Sequence, residues 1–134
     1  MDHVLDACAM IAFLRGEPGA DVVAGLLSNP EHKCYAHSVN LCEVFYDFVR
    51  ASDLRTARSA LRDLSRVGVL SRRDLGRRFW QRVGELKGTI RRVSLADCFA
   101  LALAETLKAP VVTSDHGEFD PLVARNAFRV LFIR

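Results

Sequence analysis

Short apolar runs along the chain predict four strands, at residues 3–6, 33–36, 111–114 and 128–133, the last of them buried. Elsewhere apolar residues recur every three or four positions, which is typical of one helix face. This spacing predicts helices over residues 7–14, 21–27, 38–50, 54–67, 98–107 and 121–126, and residues 67–70 form a short apolar link. Strands that alternate with helices indicate an α/β fold with a mainly parallel central sheet.

Two capping sequences predict where helices begin. Ser71 and Asp74 have the S-x-x-D spacing of a capping box and predict a further helix that ends at Leu86. Ser94 and Asp97 have the same spacing before the apolar run at residues 98–107. We therefore expect Asp97 to lie in the first turn of a helix.

The composition is that of one folded domain spanning residues 1–134. Half of the residues are apolar, 26% are charged, and no linker or low-complexity stretch divides the chain. The most apolar segments, residues 7–14 and 99–107, are too short to cross a bilayer. Without a secretory signal, a cytoplasmic location with four reduced cysteines is expected.

The net charge of +3 is unevenly distributed. Residues 53–92 hold eleven arginines and one lysine against four acids, a net charge of +8, so the rest of the chain carries −5. Such a surface suits phosphate groups, although solvated helix faces explain the charge equally well. The arginines that we expect to contact a nucleic-acid backbone are Arg55, Arg58, Arg62, Arg72, Arg73, Arg77 and Arg78.

Four carboxylates are predicted to converge. Asp6 and Asp115 follow strands, and the carboxyl ends of parallel strands share one edge of the sheet. Glu43 and Asp97 lie early in helices, at the end that a right-handed crossover brings back to this edge. Each acid alone also fits a cap or turn role. Together they predict a site for a hard divalent cation, Mg²⁺ or Mn²⁺, which can activate water for attack on a phosphodiester.

The sequences around these acids, VLDACAMI at residues 4–11, NLCEV at 40–44, SLADCFALA at 94–102 and VTSD at 112–115, resemble the PIN-domain motifs in order. The resemblance spans nearly the whole chain and implies a three-layer α/β/α domain that hydrolyses single-stranded RNA with Mg²⁺ or Mn²⁺. Ala7 and Cys8 depart from it, because many relatives have a hydroxyl residue after the first aspartate. The residues that it implies as metal-binding and catalytic are Asp6, Glu43, Asp97 and Asp115, with Ser114 and Asp120 as auxiliaries.

Short PIN-domain proteins are often VapC toxins, so the resemblance also implies a homodimer that an antitoxin protein inhibits. Several large apolar side chains fit such a partner surface or, equally, the core. They are Phe45, Tyr46, Phe48, Val49, Phe79 and Trp80.

Other functions are less consistent with the same residues. Cys34, His37 and Cys42 have the spacing of a partial zinc site, but no fourth ligand follows. An aspartyl phosphatase needs a second aspartate where Cys8 stands, and the Cys8 to Arg15 interval does not fit a cysteine phosphatase. A free-standing RNA-processing nuclease and a non-catalytic RNA-binding or regulatory module are the alternatives that stay open.

Overall fold

The computed structural model of the protein describes residues 1–125 and 127–134. Five parallel strands form a sheet at its centre. The spatial order is β3-β2-β1-β4-β5, and every neighbouring pair is parallel. The direction of winding therefore reverses between β1 and β4, the position where open α/β sheets bind ligands. The strands are β1 (Asp2–Leu5), β2 (Lys33–His37), β3 (Val69–Arg72), β4 (Val111–Thr113) and β5 (Val130–Phe132).

Helices cover both faces of this sheet. Successive residues of a strand point to opposite faces, so Val4 and Val111 join one buried cluster while Leu5 and Val112 join the other. The predicted three-layer α/β/α architecture is thus confirmed. The helices are α1 (Ala7–Arg15), α2 (Ala20–Ser28), α3 (Ser38–Ala51), α4 (Leu54–Arg66), α5 (Arg77–Thr89), α6 (Leu95–Leu107) and α7 (His116–Ala124).

The segment before α5 differs from the prediction. Residues 67–70 were expected to be a link, but Val69 and Leu70 belong to β3, which pairs with β2. Ser71 is a strand residue, and Asp74 receives two hydrogen bonds of 2.9 Å from Arg72. The predicted capping box is therefore wrong, and α5 begins at Arg77 after Gly76.

The C-terminal segment also differs. The helix expected at residues 121–126 begins earlier, at His116, and its predicted end at Asn126 lies outside the described residues. The last strand was predicted to be buried, but β5 is half-buried because it lies at an edge of the sheet. The other predicted elements are confirmed with small shifts of their ends.

Among the described residues, no helix combines the length and the apolar character needed to cross a membrane.

Candidate active site

Asp6 lies directly after β1 and caps α1. One carboxylate oxygen, Oδ1, accepts a hydrogen bond of 2.8 Å from the Ala9 N–H, while the side chain is almost wholly buried. The other oxygen, Oδ2, has no hydrogen-bond partner among the described residues. Burial raises the pKa of Asp6 to about 7, against the opposing effects of the Thr113 hydroxyl and the Ala9 amide. Asp6 is thus a buried carboxylate with one unused oxygen.

Asp115 lies at the same edge of the sheet because β4 is the neighbour of β1. The Asp6 N–H donates to the carbonyl of Val112 at 3.1 Å, which fixes the two strand ends side by side. Asp115 caps α7, and its Oδ1 accepts from the Glu118 N–H at 3.0 Å. The predicted convergence of Asp6 and Asp115 therefore agrees with the geometry.

Asp97 lies in the first turn of α6, as predicted from its capping box. The hydroxyl of Ser94 accepts from the Asp97 N–H at 3.1 Å and begins the helix. Burial raises the pKa of Asp97, and the nearby Asp6 and Glu43 carboxylates raise it further, whereas a hydrogen bond with Glu118 opposes this shift. Its side chain thus shares the site with those of Asp6, Glu43 and Glu118.

Glu43 comes from the second turn of α3 and is half-buried. Burial raises its pKa, and the negative charge of Glu118 contributes in the same direction. The charge of Glu43 also raises the pKa of Asp6 and of Asp97. Glu43 is therefore near enough to Asp6 and Asp97 to act on their pKa values, and its predicted orientation toward the strand ends stays a prediction.

Glu118 was not predicted from the sequence. One carboxylate oxygen each of Asp97, Asp115 and Glu118 lies within 4.8 Å of the other two. Burial and a hydrogen bond to Asp97 raise the pKa of Glu118 to about 8. The D-x-x-E spacing of Asp115 and Glu118 is a signal that could have revealed both this residue and the start of α7.

Thr113 explains why Glu118 can face the site. In a capping box the glutamate turns back to the N–H of the cap residue. Here the Asp115 N–H already donates to Oγ1 of Thr113 at 3.0 Å. The carboxylate of Glu118 is therefore free to approach Asp97.

The acidic centre is defined here as Asp97, Asp115 and Glu118, whose oxygens converge, together with Asp6 and Glu43, whose charges act on the same group of pKa values. Among the described residues, none of them forms an ion pair with a basic side chain. Asp6 and Asp115 cap helices, and Asp97 and Glu118 lie in first turns, where the helix dipole favours negative charge. Oδ2 of Asp6 and Oε2 of Glu118 are buried without a partner in the described part of the chain. These oxygen-only donors fit a hard divalent cation.

The predicted auxiliary residues have different surroundings. Asp120 is exposed and pairs with Nδ1 of His116 at 2.9 Å. Ser114 is half-buried between β4 and the cap of α7. The ion pair of Asp120 therefore joins it to His116 and not to the acidic centre.

The predicted RNA-contacting arginines are mostly exposed. Arg55, Arg58 and Arg62 lie on the solvent side of α4, while Arg73, Arg77 and Arg78 surround the start of α5. Arg72 differs because Asp74 already binds its guanidinium group. Its availability for a phosphate is therefore lower than the sequence suggested.

The predicted partner surface is divided between core and exterior. Phe48 and Phe79 pack against the two buried clusters, and Phe45 is half-buried. The exposed members are Tyr46, Val49 and Trp80.

The partial zinc pattern has no suitable histidine. Nδ1 of His37 accepts from the Val39 N–H at 3.1 Å, and Nε2 contacts the carbonyl of Asp74 at 2.8 Å. Both ring nitrogens are therefore occupied by hydrogen bonds.

Solved toxin–antitoxin structures share this fold. The chain is 17% identical to a chain of VapBC2 from Rickettsia felis bound to a promoter DNA fragment, over 98% of both chains, with a TM-score of 0.73. It is 15% identical to VapC20 of Mycobacterium tuberculosis, a toxin that cleaves the sarcin–ricin loop, over 96% of this chain and 98% of that one, with a TM-score of 0.72. It is 28% identical to a chain of VapBC-5 from Mycobacterium tuberculosis, over 99% and 98% respectively, with a TM-score of 0.59.

Comparison with curated proteins gives no match. The PIN domain family, in contrast, matches residues 3–122, which is most of the chain. The protein therefore belongs to the PIN domain family.

Proposed function

We propose that this protein is a Mg²⁺- or Mn²⁺-dependent endoribonuclease that cleaves single-stranded RNA and acts as the toxin of a toxin–antitoxin pair. The observation that carries the proposal is the cluster of Asp97, Asp115 and Glu118, whose carboxylate oxygens lie within 4.8 Å of one another in the acidic centre. Carboxylates held so close together repel one another unless a proton or a cation is bound. Membership of the PIN domain family supports the same chemistry.

Asp97, Asp115 and Glu118 would hold the metal ion together with Asp6, and Glu43 would complete the acidic centre. A bound Mg²⁺ or Mn²⁺ ion supplies the polarisation of water and the neutralisation of charge that phosphodiester hydrolysis requires. The helix caps fix Asp6 and Asp115 in one orientation each. Because these groups are preorganised, little rearrangement is needed when the substrate binds.

Protons in the acidic centre are held at identified groups. Burial raises the pKa of Glu118 to about 8 and also raises the pKa of Asp97, so these carboxyls hold protons more tightly than free acids do. Binding of a cation favours the ionised form of both side chains. We therefore expect metal binding to release protons near neutral pH.

The attacking group in this proposal is water and not the ribose 2′-hydroxyl. The products should then carry 5′-phosphate and 3′-hydroxyl ends. Products that end in a 2′,3′-cyclic phosphate would contradict the mechanism.

The experiment that tests the activity compares the purified protein with two matched variants. A labelled single-stranded RNA is incubated with Mg²⁺ or Mn²⁺, with EDTA, and with the variants Asp6→Asn and Asp21→Asn. Asp21 is an exposed aspartate on α2 and controls for the substitution itself. Cleavage should require the metal ion and Asp6 but not Asp21. Cleavage in EDTA by pure protein would overturn the proposal.

An antitoxin is the proposed protein partner. Similar solved structures include VapBC complexes from several bacteria, which supports this assignment. The antitoxin would place an arginine or lysine in the acidic centre, where its positive charge can pair with the carboxylates. Expression of this protein in a bacterial host should arrest growth. Co-expression of a small antitoxin gene that lies next to its own gene should relieve the arrest. Persistent arrest would remove this part of the proposal.

A further inference from the structure

A cavity of about 480 Å³ adjoins the acidic centre. It lies between the end of α5, the segment that leads into α6, and the helix α7. Glu118 forms part of its wall, so the cavity and the acidic centre share a residue. A cavity of this size is large enough for a small organic group such as a nucleotide.

Three arginines line the cavity. Arg91 and Arg92 come from the segment after α5, and Arg125 follows α7 on the other side. All three are exposed, and none forms an ion pair with a carboxylate among the described residues. Arg72 and Arg82, in contrast, are bound by acidic neighbours. The cavity thus offers free guanidinium groups, which bind phosphate well.

The remaining wall of the cavity is largely apolar. Ile90 and Pro121 are half-buried, and Leu122 is buried beneath them. Such a surface can contact a ribose or the face of a base, while the arginines contact phosphate. The combination of charge and apolar wall therefore matches one nucleotide of a single strand.

We propose that this cavity binds the nucleotide adjacent to the scissile phosphate of a single-stranded RNA. Its neighbouring phosphates contact Arg91, Arg92 and Arg125, while the scissile phosphate lies at the acidic centre. This inference rests on the proposed function and specifies how that site holds its substrate. It moves the main RNA-binding surface from the exposed arginines of α4 to the segment beside Glu118.

The test compares two double variants in an Asp6→Asn background, in which RNA binding can be measured without cleavage. Arg91→Ala with Arg92→Ala removes two cavity arginines, and Arg55→Ala with Arg58→Ala removes two exposed arginines of α4. Binding of a labelled single-stranded RNA is measured across a salt series. For single strands, the slope of log affinity against log salt becomes shallower by about 0.7 for each phosphate that the protein no longer neutralises.

We expect the cavity variant to bind RNA about tenfold or more weakly and to have the shallower slope, whereas the α4 variant keeps both values. Arg125→Ala should weaken binding from the opposite wall of the cavity. An unchanged slope and affinity in both cavity variants would overturn the inference. An equal weakening in the cavity and α4 variants would also overturn it, because the arginines would then act only through general charge.

A second measurement separates this inference from the proposed function. In the cleavage-competent protein, oligonucleotides are extended by one nucleotide on either side of the cleavage site. One extension should lower KM in the wild-type protein but not in the Arg91→Ala, Arg92→Ala variant. If the wild-type protein cleaves RNA and both proteins respond equally, the cavity assignment fails while the nuclease assignment stands. If the wild-type protein does not cleave RNA, the proposed function fails first.

Discussion

Asn40 donates a hydrogen bond of 3.1 Å from Nδ2 to the main-chain carbonyl of Ala96. Asn40 is wholly buried and lies one helical turn before Glu43, while Ala96 precedes Asp97. The bond therefore connects the two helices that carry these acids. It fixes the position of α3 relative to α6 close to the acidic centre.

The first prediction concerns this bond. Asn40→Ala should lower the free energy of unfolding by about 1–2 kcal/mol, because a buried hydrogen bond is removed. It should also reduce RNA cleavage, since Glu43 is no longer held relative to Asp97. Urea denaturation and initial cleavage rates check both effects. Asn29→Ala, which removes a surface turn contact to Glu31, is the control. Equal cleavage by the wild-type protein and Asn40→Ala would contradict the positioning role.

The position of two acids in this site could be predicted from the sequence because the strands before them run in the same direction. Asp6 and Asp115 follow parallel strands, so their proximity could be inferred without knowing any contact. Glu118 could not be placed in the same way, because its orientation depends on Thr113 accepting the Asp115 N–H. Strand β3 was missed because it is short, half of it is polar, and its hydrogen bonds come from the distant β2.

The second prediction is that Asp6→Asn abolishes cleavage without unfolding the protein. The asparagine oxygen can still accept the Ala9 N–H and cap α1. The substitution removes the buried negative charge of Asp6, so the metal-free variant should be at least as stable as the wild-type protein. We expect kcat to fall by about 100-fold or more, which is the typical effect of removing one preorganised electrostatic group from the active site of an enzyme. Thermal melts beside cleavage assays test this, and a melting temperature that falls sharply would show a structural role instead.

The third prediction is a fall in the stability of the metal-free protein as pH rises from about 4 to 8. Asp6 has a pKa of about 7 in place of 3.8, and Glu118 has a pKa of about 8 in place of 4.5. Across this window the folded state binds more protons than the unfolded state, so the free energy of unfolding decreases with pH.

Mg²⁺ or Mn²⁺ should counteract this fall, because the cation binds the ionised carboxylates. The metal-induced rise in melting temperature should therefore be larger at pH 8 than at pH 5. Melts at both pH values with and without the ion provide the measurement. An Asp6→Asn, Glu118→Gln variant should have a flatter pH dependence, and an unchanged dependence would contradict the assignment.

The fourth prediction compares two acids of α7. Glu118→Gln should weaken metal binding and cleavage, because the Glu118 carboxylate lies beside Asp97 and Asp115. Asp120→Asn should have a much smaller effect, because that side chain pairs with His116 at the surface. Isothermal titration calorimetry with Mg²⁺ or Mn²⁺ gives the metal affinities of both variants. A larger effect of Asp120→Asn than of Glu118→Gln would support Asp120 as an auxiliary residue and would contradict a metal-binding role of Glu118.

The fifth prediction concerns self-association. Tyr46, with 48% of its surface exposed, and Trp80, also 48% exposed, are large groups for a free surface. If they contribute to the homodimer that the resemblance to VapC toxins implies, sedimentation should give a mass near twice 14.9 kDa for the wild-type protein. Trp80→Glu should shift the mass toward that of one chain, with Leu75→Glu as an exposed apolar control. A wild-type mass near 14.9 kDa would exclude the dimer.

The order of strands in the sheet has a consequence for synthesis of the protein. β1 lies between β2 and β4, so one of its two neighbours in the sheet is synthesised about a hundred residues after it. Asp115 and Glu118 come from this late part of the sequence, after β4. A growing chain that has not reached them contains Asp6, Glu43 and Asp97 without the rest of the acidic centre. The acidic centre is therefore completed only after β4 and the start of α7 have been synthesised.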